Sequence, residues 1–339
     1  CAIMQKLNIL KYFAFIFLLH SSFAYCAISY KVQYNGLQDP SIISEIISIS
    51  DLENLKDHPL RSINALRYRI SADIPLMIKV MHSLGYYDAQ ISSDIENDEG
   101  IIIVYININP GTRYLLKKFD IYEAPCDKKI KFEMKDFTLK GIGVDLNTPI
   151  TAQNVIDSEK ALIYTLIAKG HPLAYLKNRD ILADVKTKEV FVDLCVDKGK
   201  LARFGETTIK GLKNINSKFL NRKILWKEGN VYSPQKVEET QTRLLQSDLF
   251  SSVVISHDEK IDDKDKLGMN INLMESKHKS ISIGASYETI FGPGISFSWA
   301  NRNFRGFGEL LSIDADVTKK TLEGIATYLK PDFVKLDQD

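Results

Sequence analysis

A period-two alternation runs from Ser280 to Val317, and it restricts this chain more than any other feature. Ile281, Ile283, Ala285 and Tyr287 alternate with Ser280, Ser282, Gly284 and Ser286. The pattern restarts after Phe291-Gly292-Pro293-Gly294, with Ile295, Phe297 and Trp299 against Ser296, Ser298 and Ala300. It restarts again after Asn303-Phe304-Arg305-Gly306, with Leu311, Ile313, Ala315 and Val317 against Ser312, Asp314 and Asp316. Successive side chains of a strand point to opposite faces, so each run predicts a strand with one apolar and one polar face. A soluble sandwich would turn the apolar face to a core. An outer-membrane barrel would turn it to lipid and line a wet lumen with the Ser/Asp face. Tyr287 and Trp299 near strand ends suit the barrel, but the strand pattern alone leaves both open.

The chain has 339 residues, more than one typical domain, which points to two to four. A hydrophobic content of 45% is that of a folded protein. The net charge of +1 offers no concentrated basic surface, so nucleic acid is not an expected partner. No apolar run is long enough for an ordinary transmembrane helix, an absence that says nothing against a barrel.

Residues 4–26 read as a secretory signal. Lys6 and Lys11 supply the positive region, Tyr12 to Leu19 a short apolar block, and Ser22-Phe23-Ala24 and Ala24-Tyr25-Cys26 usable cleavage sites. A buried N-terminal helix is the alternative. Bulky Tyr25 before Cys26 argues against a lipoprotein signal, and Cys1-Ala2-Ile3 before Met4 reads as an artefact of the reading frame. Cleavage would leave Cys126 and Cys195, which in an oxidising compartment form one disulfide or stay as two buried thiols.

Between Ile28 and Glu275 one order of elements, strand-helix-helix-strand-strand, is expected three times. In the third copy Ala202 to Gly211 is a strand closed by glycine, with a short helix near Ser217 to Leu225. Ser233-Pro234 then opens a second helix, Ser as N-cap and Pro at the first position. Ser251 to Ser256 and Gly268 to Leu273 make a hairpin across a charged turn. The second copy has a strand over Thr112 to Tyr122, a helix capped by Thr151 and stopped by Gly170, and strands near Ala174 to Val185 and Glu189 to Asp197. The first has Tyr30 to Leu37, helices over Pro40 to Ile49 and Arg61 to Leu84, then Ala89 to Ile95 and Ile101 to Ile108. Leu84-Gly85-Tyr86-Tyr87 aligns with Lys169-Gly170-His171-Pro172 and with Ser247-Asp248-Leu249-Phe250. A period this long reads as three small domains in a string rather than a solenoid.

Three such units before barrel-like strands and behind a signal resemble the Omp85 superfamily, and the units resemble polypeptide-transport-associated (POTRA) domains. The likeness rests on Arg203-Phe204-Gly205, Ile209-Lys210-Gly211 and Leu249-Phe250-Ser251-Ser252-Val253. The count of three units points to the TamA-like branch, the outer-membrane subunit of the translocation and assembly module. The resemblance implies an α+β chain divided as POTRA 1 at 27–110, POTRA 2 at 111–200, POTRA 3 at 201–276 and an incomplete β-barrel over 277–339. Only about four barrel strands fit, and the family's lid-loop Arg-Gly-Phe would lie beyond the end. Arg305-Gly306-Phe307 spells those letters between early strands, so the lid role is not carried onto it.

No catalytic constellation is visible, and no enzyme activity, cofactor or metal is expected. The six histidines have no metal-ligand spacing. Asp262 to Gly268 is better read as a solvated turn than a calcium loop, Gly141-Ile142-Gly143 lacks a dinucleotide fingerprint, and no Gly-x-Ser-x-Gly occurs. Binding through backbone remains. The second strands of the first and third units, Ala89 to Ile95 and Ser251 to Ser256, are candidate edges for pairing with extended clients, marked by Ala89, Ile91 and Ile95 in the first and Val253 and Ile255 in the third. The alternative is that these strands are only structural. By resemblance the first barrel strand, with Ile281, Ile283, Ala285 and Tyr287, would template client strands at the barrel seam, since a strand in lipid cannot leave its backbone unpaired.

The implied function is assembly of outer-membrane proteins. The implied partners are unfolded outer-membrane clients, outer-membrane lipid and an inner-membrane-anchored TamB-like protein, with the POTRA units in the periplasm. The alternatives are a soluble periplasmic POTRA scaffold from a truncated gene, a POTRA-bearing secretion transporter, or a secreted enzyme carrying such units.

Overall fold

The structure, a computed structural model, describes residues 28–58, 60, 62–99 and 101–331. The expected signal at 4–26 lies outside the described residues. Contacts divide the chain into two units. One holds the chain up to Phe119 with Asp145–Ile156 and Ile181–Val192; the other holds Asp120–Val144, Asp157–Asp180 and everything from Asp193.

The first repeat comprises β1 (Tyr30–Asn35), α1 (Pro40–Ile49), α2 (Asp51–Asn54), α3 (Ile63–Ser83), β2 (Gln90–Asp98) and β3 (Ile101–Asn109). Its sheet has the order β1-β3-β2. β1 runs parallel to β3 with Val32 opposite Val104, because helices cross over between them, and β2 returns antiparallel with Ile95 opposite Val104. Asp39 accepts from the Ser41 amide and Pro40 takes the first turn, which starts α1 where its proline needs no donor. Ile46, Leu52, Leu66, Met77, Met81 and Ile106 are buried between helices and sheet. Asp73 on α3 is buried too. It accepts from Ser50 Oγ (2.6 Å) and from the amides of Leu52 (2.8 Å) and Asp51 (3.2 Å), so α3 supplies the cap that Ser50 does not give α2 itself.

The middle repeat departs from expectation. It contains β4 (Leu115–Glu123), the two-residue β5 (Ile130–Lys131), α4 (Ala152–Ala168), β6 (Tyr175–Asp184) and β7 (Glu189–Asp197), in the order β5-β4-β7-β6. Where the other repeats place a first helix, this one has only β5 and 3-10 turns at Cys126–Lys128 and Lys140–Ile142. Lys129, Asp136, Gly143 and Asn147 all take left-handed backbone, with φ of 44°, 62°, 78° and 60°, and each interrupts a right-handed helix. Thr151 does cap α4: its Oγ1 accepts from the Asn154 amide (3.0 Å) and Asn154 Oδ1 returns the bond to the Thr151 amide (3.1 Å).

The third repeat has β8 (Arg203–Lys210), α5 (Ser217–Lys223), α6 (Pro234–Gln246), β9 (Phe250–His257) and β10 (Lys266–Glu275), in the order β8-β10-β9. Phe204, Phe219, Leu220, Leu244, Leu267 and Ile271 are buried, and Phe204 stacks on Trp226 with centroids 5.1 Å apart. Ser233 stands at the N-cap of α6 but makes no capping bond; its hydroxyl donates to Gln235 Oε1 (3.0 Å).

The alignment of the three copies is legible in the backbone. Gly85, Gly170 and Asp248 all have positive φ, at 90°, 97° and 58°. The Gly85 carbonyl accepts from Tyr114 N (2.9 Å), that of Gly170 from Ala202 N (2.8 Å), and that of Leu249 from Ser276 N (2.9 Å), so each repeat is stapled to the residues that follow it. Asp takes the glycine position in the third copy because its short polar side chain tolerates the left-handed region.

The chain continues into β11 (Lys279–Glu288), β12 (Gly292–Asn301), β13 (Leu310–Thr318) and β14 (Leu322–Leu329), an antiparallel sheet in chain order. The register sets Ile283 opposite Phe297, Phe297 opposite Ala315, and Ala315 opposite Gly324.

Candidate client and membrane interface

Period-two alternation and a common register put Ile281, Ile283, Ala285, Ile295, Phe297, Trp299, Ile313 and Val317 on one face of the last sheet. Leu322, Ala326 and Tyr328 extend that face onto β14. The other face carries Ser282, Ser298 and Asp314, with Ser298 Oγ donating to Asp314 Oδ1 (2.6 Å). The apolar face is uncovered: Ile281, Ile283 and Leu322 are 68%, 75% and 82% exposed. A water-soluble sheet hides such a face; strands of about ten residues with apolar and Ser/Asp faces are the pattern of a lipid-facing barrel wall. Among the described residues no helix is long and apolar enough to cross a membrane, which says nothing of strands.

β2 and β9 both lie at an edge of their sheets. The residues singled out on them point the other way. Ala89 just precedes β2 and is buried, Ile91 and Ile95 pack on the first core, and Val253 and Ile255 on the third. What these edges offer a partner is backbone and the opposite row, such as Val254, which is exposed. Sequence reasoning did not single out β6, the edge of the middle sheet, where Tyr175, Ile181 and Leu182 are exposed. The signal was there: apolar residues on a strand that is otherwise polar and charged.

Between the third repeat and the last sheet sits a junction built on two carboxylates. Glu275, at the end of β10, accepts from the amides of Lys213 (2.7 Å), Asn214 (3.0 Å) and Ile215 (3.2 Å) and from Asn214 Nδ2 (3.1 Å). Glu309, buried at the start of β13, accepts from the amides of Phe307 (3.1 Å) and Arg305 (3.3 Å). Asn303 donates to the Asn214 carbonyl (3.0 Å) and accepts from Gly308 N (3.1 Å), and Asn216 N donates to the Gly306 carbonyl (2.8 Å). Phe307 packs on the third core. The turn between β12 and β13 is thus a docking element. Arg305-Gly306-Phe307 lies in it and is held by these bonds.

Burial pushes the Glu275 carboxyl up, but the Lys213, Asn214 and Ile215 amides and the Asn214 side chain outweigh it and hold the pKa at about 2. A carboxylate with a depressed folded pKa stabilises fully above its unfolded value of 4.5 and loses that contribution as pH falls toward 2. Glu275→Gln is therefore expected to cost about 2 kcal/mol at neutral pH, after discounting for solvent screening, and about half that at pH 3. Urea unfolding of both proteins at the two pH values measures it; an equal gap at both would show that the charge is not what holds the loop.

Cys126 and Cys195 form a disulfide with their Cα atoms 5.8 Å apart. The Asp262 turn is closed by its own carboxylate, which accepts from the amides of Lys264 (2.9 Å) and Lys266 (2.7 Å). Among the described residues no cluster of His, Cys, Asp or Glu could hold a metal.

Residues 202–275 match the family described as POTRA, Surface antigen variable number repeat. This segment is POTRA-like. Over most of its length the chain is similar to parts of larger proteins. The chain is 20% identical over 255 residues to the outer membrane protein assembly factor BamA of Neorickettsia risticii, covering 73% of this chain and 32% of the relative. Against BamA of Nitratidesulfovibrio vulgaris the values are 22% over 259 residues, 73% and 31%. A crystal structure of Haemophilus ducreyi BamA lacking POTRA domains 1–3 superposes with a TM-score of 0.57 at 17% identity, covering 65% of this chain and 40% of that one. The chain spans about a third of the length of the curated relatives it matches. The fold is α+β with POTRA-like repeats, and the likeness is to the Omp85/BamA type.

Proposed function

We propose that this chain forms the POTRA string and first barrel strands of an outer-membrane protein assembly factor, with the repeats at 27–110, 111–200 and 201–276 in the periplasm and 277–339 in the membrane. The observation that carries the reading is the uncovered apolar face of Lys279–Leu329, joined directly to a POTRA domain. The sheet contributes no chemistry and needs no cofactor. Its open first strand, with Ile281, Ile283, Ala285 and Tyr287, offers backbone donors and acceptors to a client strand that cannot leave them unpaired in lipid. The edges β2 and β9 receive unfolded clients before that step, since main-chain pairing is tolerant of sequence.

A photoreactive residue at Val254, exposed on β9, is expected to cross-link to unfolded outer-membrane chains in cells, whereas one at Glu239 on α6 is not. Equal adducts at both positions would remove the edge-pairing reading. The three repeats behind a signal-like segment favour the TamA-like branch, whereas the named relatives are BamA proteins. Recovery of an inner-membrane-anchored TamB-like protein in the same cross-linked material supports that branch, and recovery of clients without it counts against it.

A further inference from the structure

At the foot of the apolar face lies a cavity of about 820 Å³ lined by Lys277, Lys279, Arg305, Phe304 and the polar residues around them. No aspartate or glutamate lines it. Among the described residues Lys277, Lys279 and Arg305 have no carboxylate within ion-pair distance, although the nearest acidic side chains are close in sequence. Those acids are held by other partners: Glu275 receives the Lys213–Ile215 loop and lies 3.3 Å from Nε2 of His278 in the cavity wall, and Glu309 receives the amides of its own turn. The fold thus gathers three cations without an ion-pair partner and ties the neighbouring carboxylates mainly to backbone amides.

Their position identifies what they face. Lys279 stands opposite Asn301, one step beyond the Ile281–Trp299 pair and on the same face of the sheet. The cations therefore sit where the apolar band ends, on the side of the sheet that joins the POTRA domain. Phe304 is exposed beside them, with Arg305 Cζ 6.0 Å from its ring centre. An aromatic ring and basic side chains bordering an apolar band are the features that meet the headgroup layer of a bilayer. The cavity is also far larger than an inorganic phosphate, leaving room for a headgroup and its glycerol.

We infer that this cavity binds the phosphate headgroup of an anionic phospholipid in the leaflet facing the POTRA domains. The inference rests on the membrane reading of the last sheet. The phosphodiester anion takes Lys279 and Arg305 as its charge partners with Lys277 behind them, and Phe304 lies along the acyl–headgroup boundary. Because Glu309 and Asn303 hold the 301–309 turn from within, Arg305 is presented by a fixed backbone rather than a loose loop. Lipid bound there would join the sheet's edge of the bilayer to the POTRA junction.

The test is flotation of the full chain with vesicles of neutral phosphatidylcholine and of phosphatidylcholine containing phosphatidylglycerol. The triple variant Lys277→Glu, Lys279→Glu, Arg305→Glu is expected to lose about 100-fold in partitioning onto the anionic vesicles and little onto the neutral ones. A control reversing Lys31, Lys186 and Lys260, all outside the sheet, is expected to stay within about 2-fold. If the triple variant fails to fold by Trp226 fluorescence, the neutralising set Lys277→Gln, Lys279→Gln, Arg305→Gln takes its place.

Equal partitioning of the unsubstituted chain onto both vesicle types overturns the headgroup site while leaving the membrane reading standing. Anionic preference that survives both variant sets also overturns it. Release from anionic vesicles by millimolar inorganic phosphate at constant ionic strength would assign the cavity to free phosphate instead. Failure of the unsubstituted chain to partition onto either vesicle removes the membrane reading and this site with it; where it does partition, Ile283→Lys with Phe297→Lys is expected to lose both vesicle types, unlike the cation variants.

Discussion

Gly211→Ala is expected to unfold the third repeat under conditions where the unsubstituted domain is folded, at a cost of at least about 3 kcal/mol. Two physical terms combine at this residue. Its φ is +95°, where an L side chain is strained, and a Cβ there would run into the carbonyl oxygen of Leu273 on the neighbouring β10. The carbonyl belongs to a paired central strand and cannot move without breaking the sheet order β8-β10-β9. Gly229→Ala separates the two terms. Gly229 has φ +84° but nothing within 4 Å of a new Cβ, so only backbone strain remains, about 1 kcal/mol. Urea unfolding followed by fluorescence of Trp226, stacked on Phe204, reads both variants. Equal losses would show that the close approach to Leu273 contributes nothing. Gly36→Ala should repeat the result in the first repeat, where the Ile108 carbonyl stands in the same place.

Opening the Cys126–Cys195 disulfide is expected to cost about 4 kcal/mol, because the cross-link spans 69 residues and its loss frees a long loop in the unfolded chain. The segment it fastens has little else of its own. Between β4 and α4 there are two 3-10 turns and the two-residue β5. The surface pair of Lys129 and Asp193 (3.4 Å) adds little at such exposure. Denaturant unfolding with and without reductant, beside the Cys126→Ser/Cys195→Ser variant, checks this. Reduced protein and double variant should coincide, and a midpoint indifferent to reductant would refute the claim.

The sheet from Lys279 onward was legible because its pattern is strictly local. Alternation fixes both faces whatever surrounds them, and the glycine turns mark the strand ends. The glycine that ends the first strand was legible in the third copy, at Gly211; in the first copy the structure shows Gly36 in the same role, against the Ile108 carbonyl. The middle repeat was less legible. Its opening strand and Thr151 cap are legible, but the repeated order of elements predicts a first helix before Thr151 to which no residues could be assigned, and the structure has none there. Left-handed residues such as Lys129 and Asn147 carry no strong sequence mark, unlike glycine. The junction was not legible at all. Nothing in Glu275 or Glu309 as letters distinguishes a carboxylate that gathers amides from one that faces water; that depends on which distant loop folds back over it. The edge position of β2 and β9 was legible from their order in each unit, but apolar residues on a strand packed against helices face the core, so Ile91 and Val253 lie on the covered side of those edges.

The docked turn between β12 and β13 has a consequence for how the last sheet forms. A slip of one residue in a two-faced hairpin exchanges its faces, and an isolated hairpin has few contacts to forbid it. Here Asn303 donates to the Asn214 carbonyl and Gly306 accepts from the Asn216 amide, both residues of a domain with its own core, while Gly308 is held by Asn303 within the turn. The third repeat thereby acts as a jig: by holding the turn it fixes which residues of β12 and β13 stand opposite each other. Which face each strand presents thus becomes a property inherited from the neighbouring domain rather than one the sheet must find for itself.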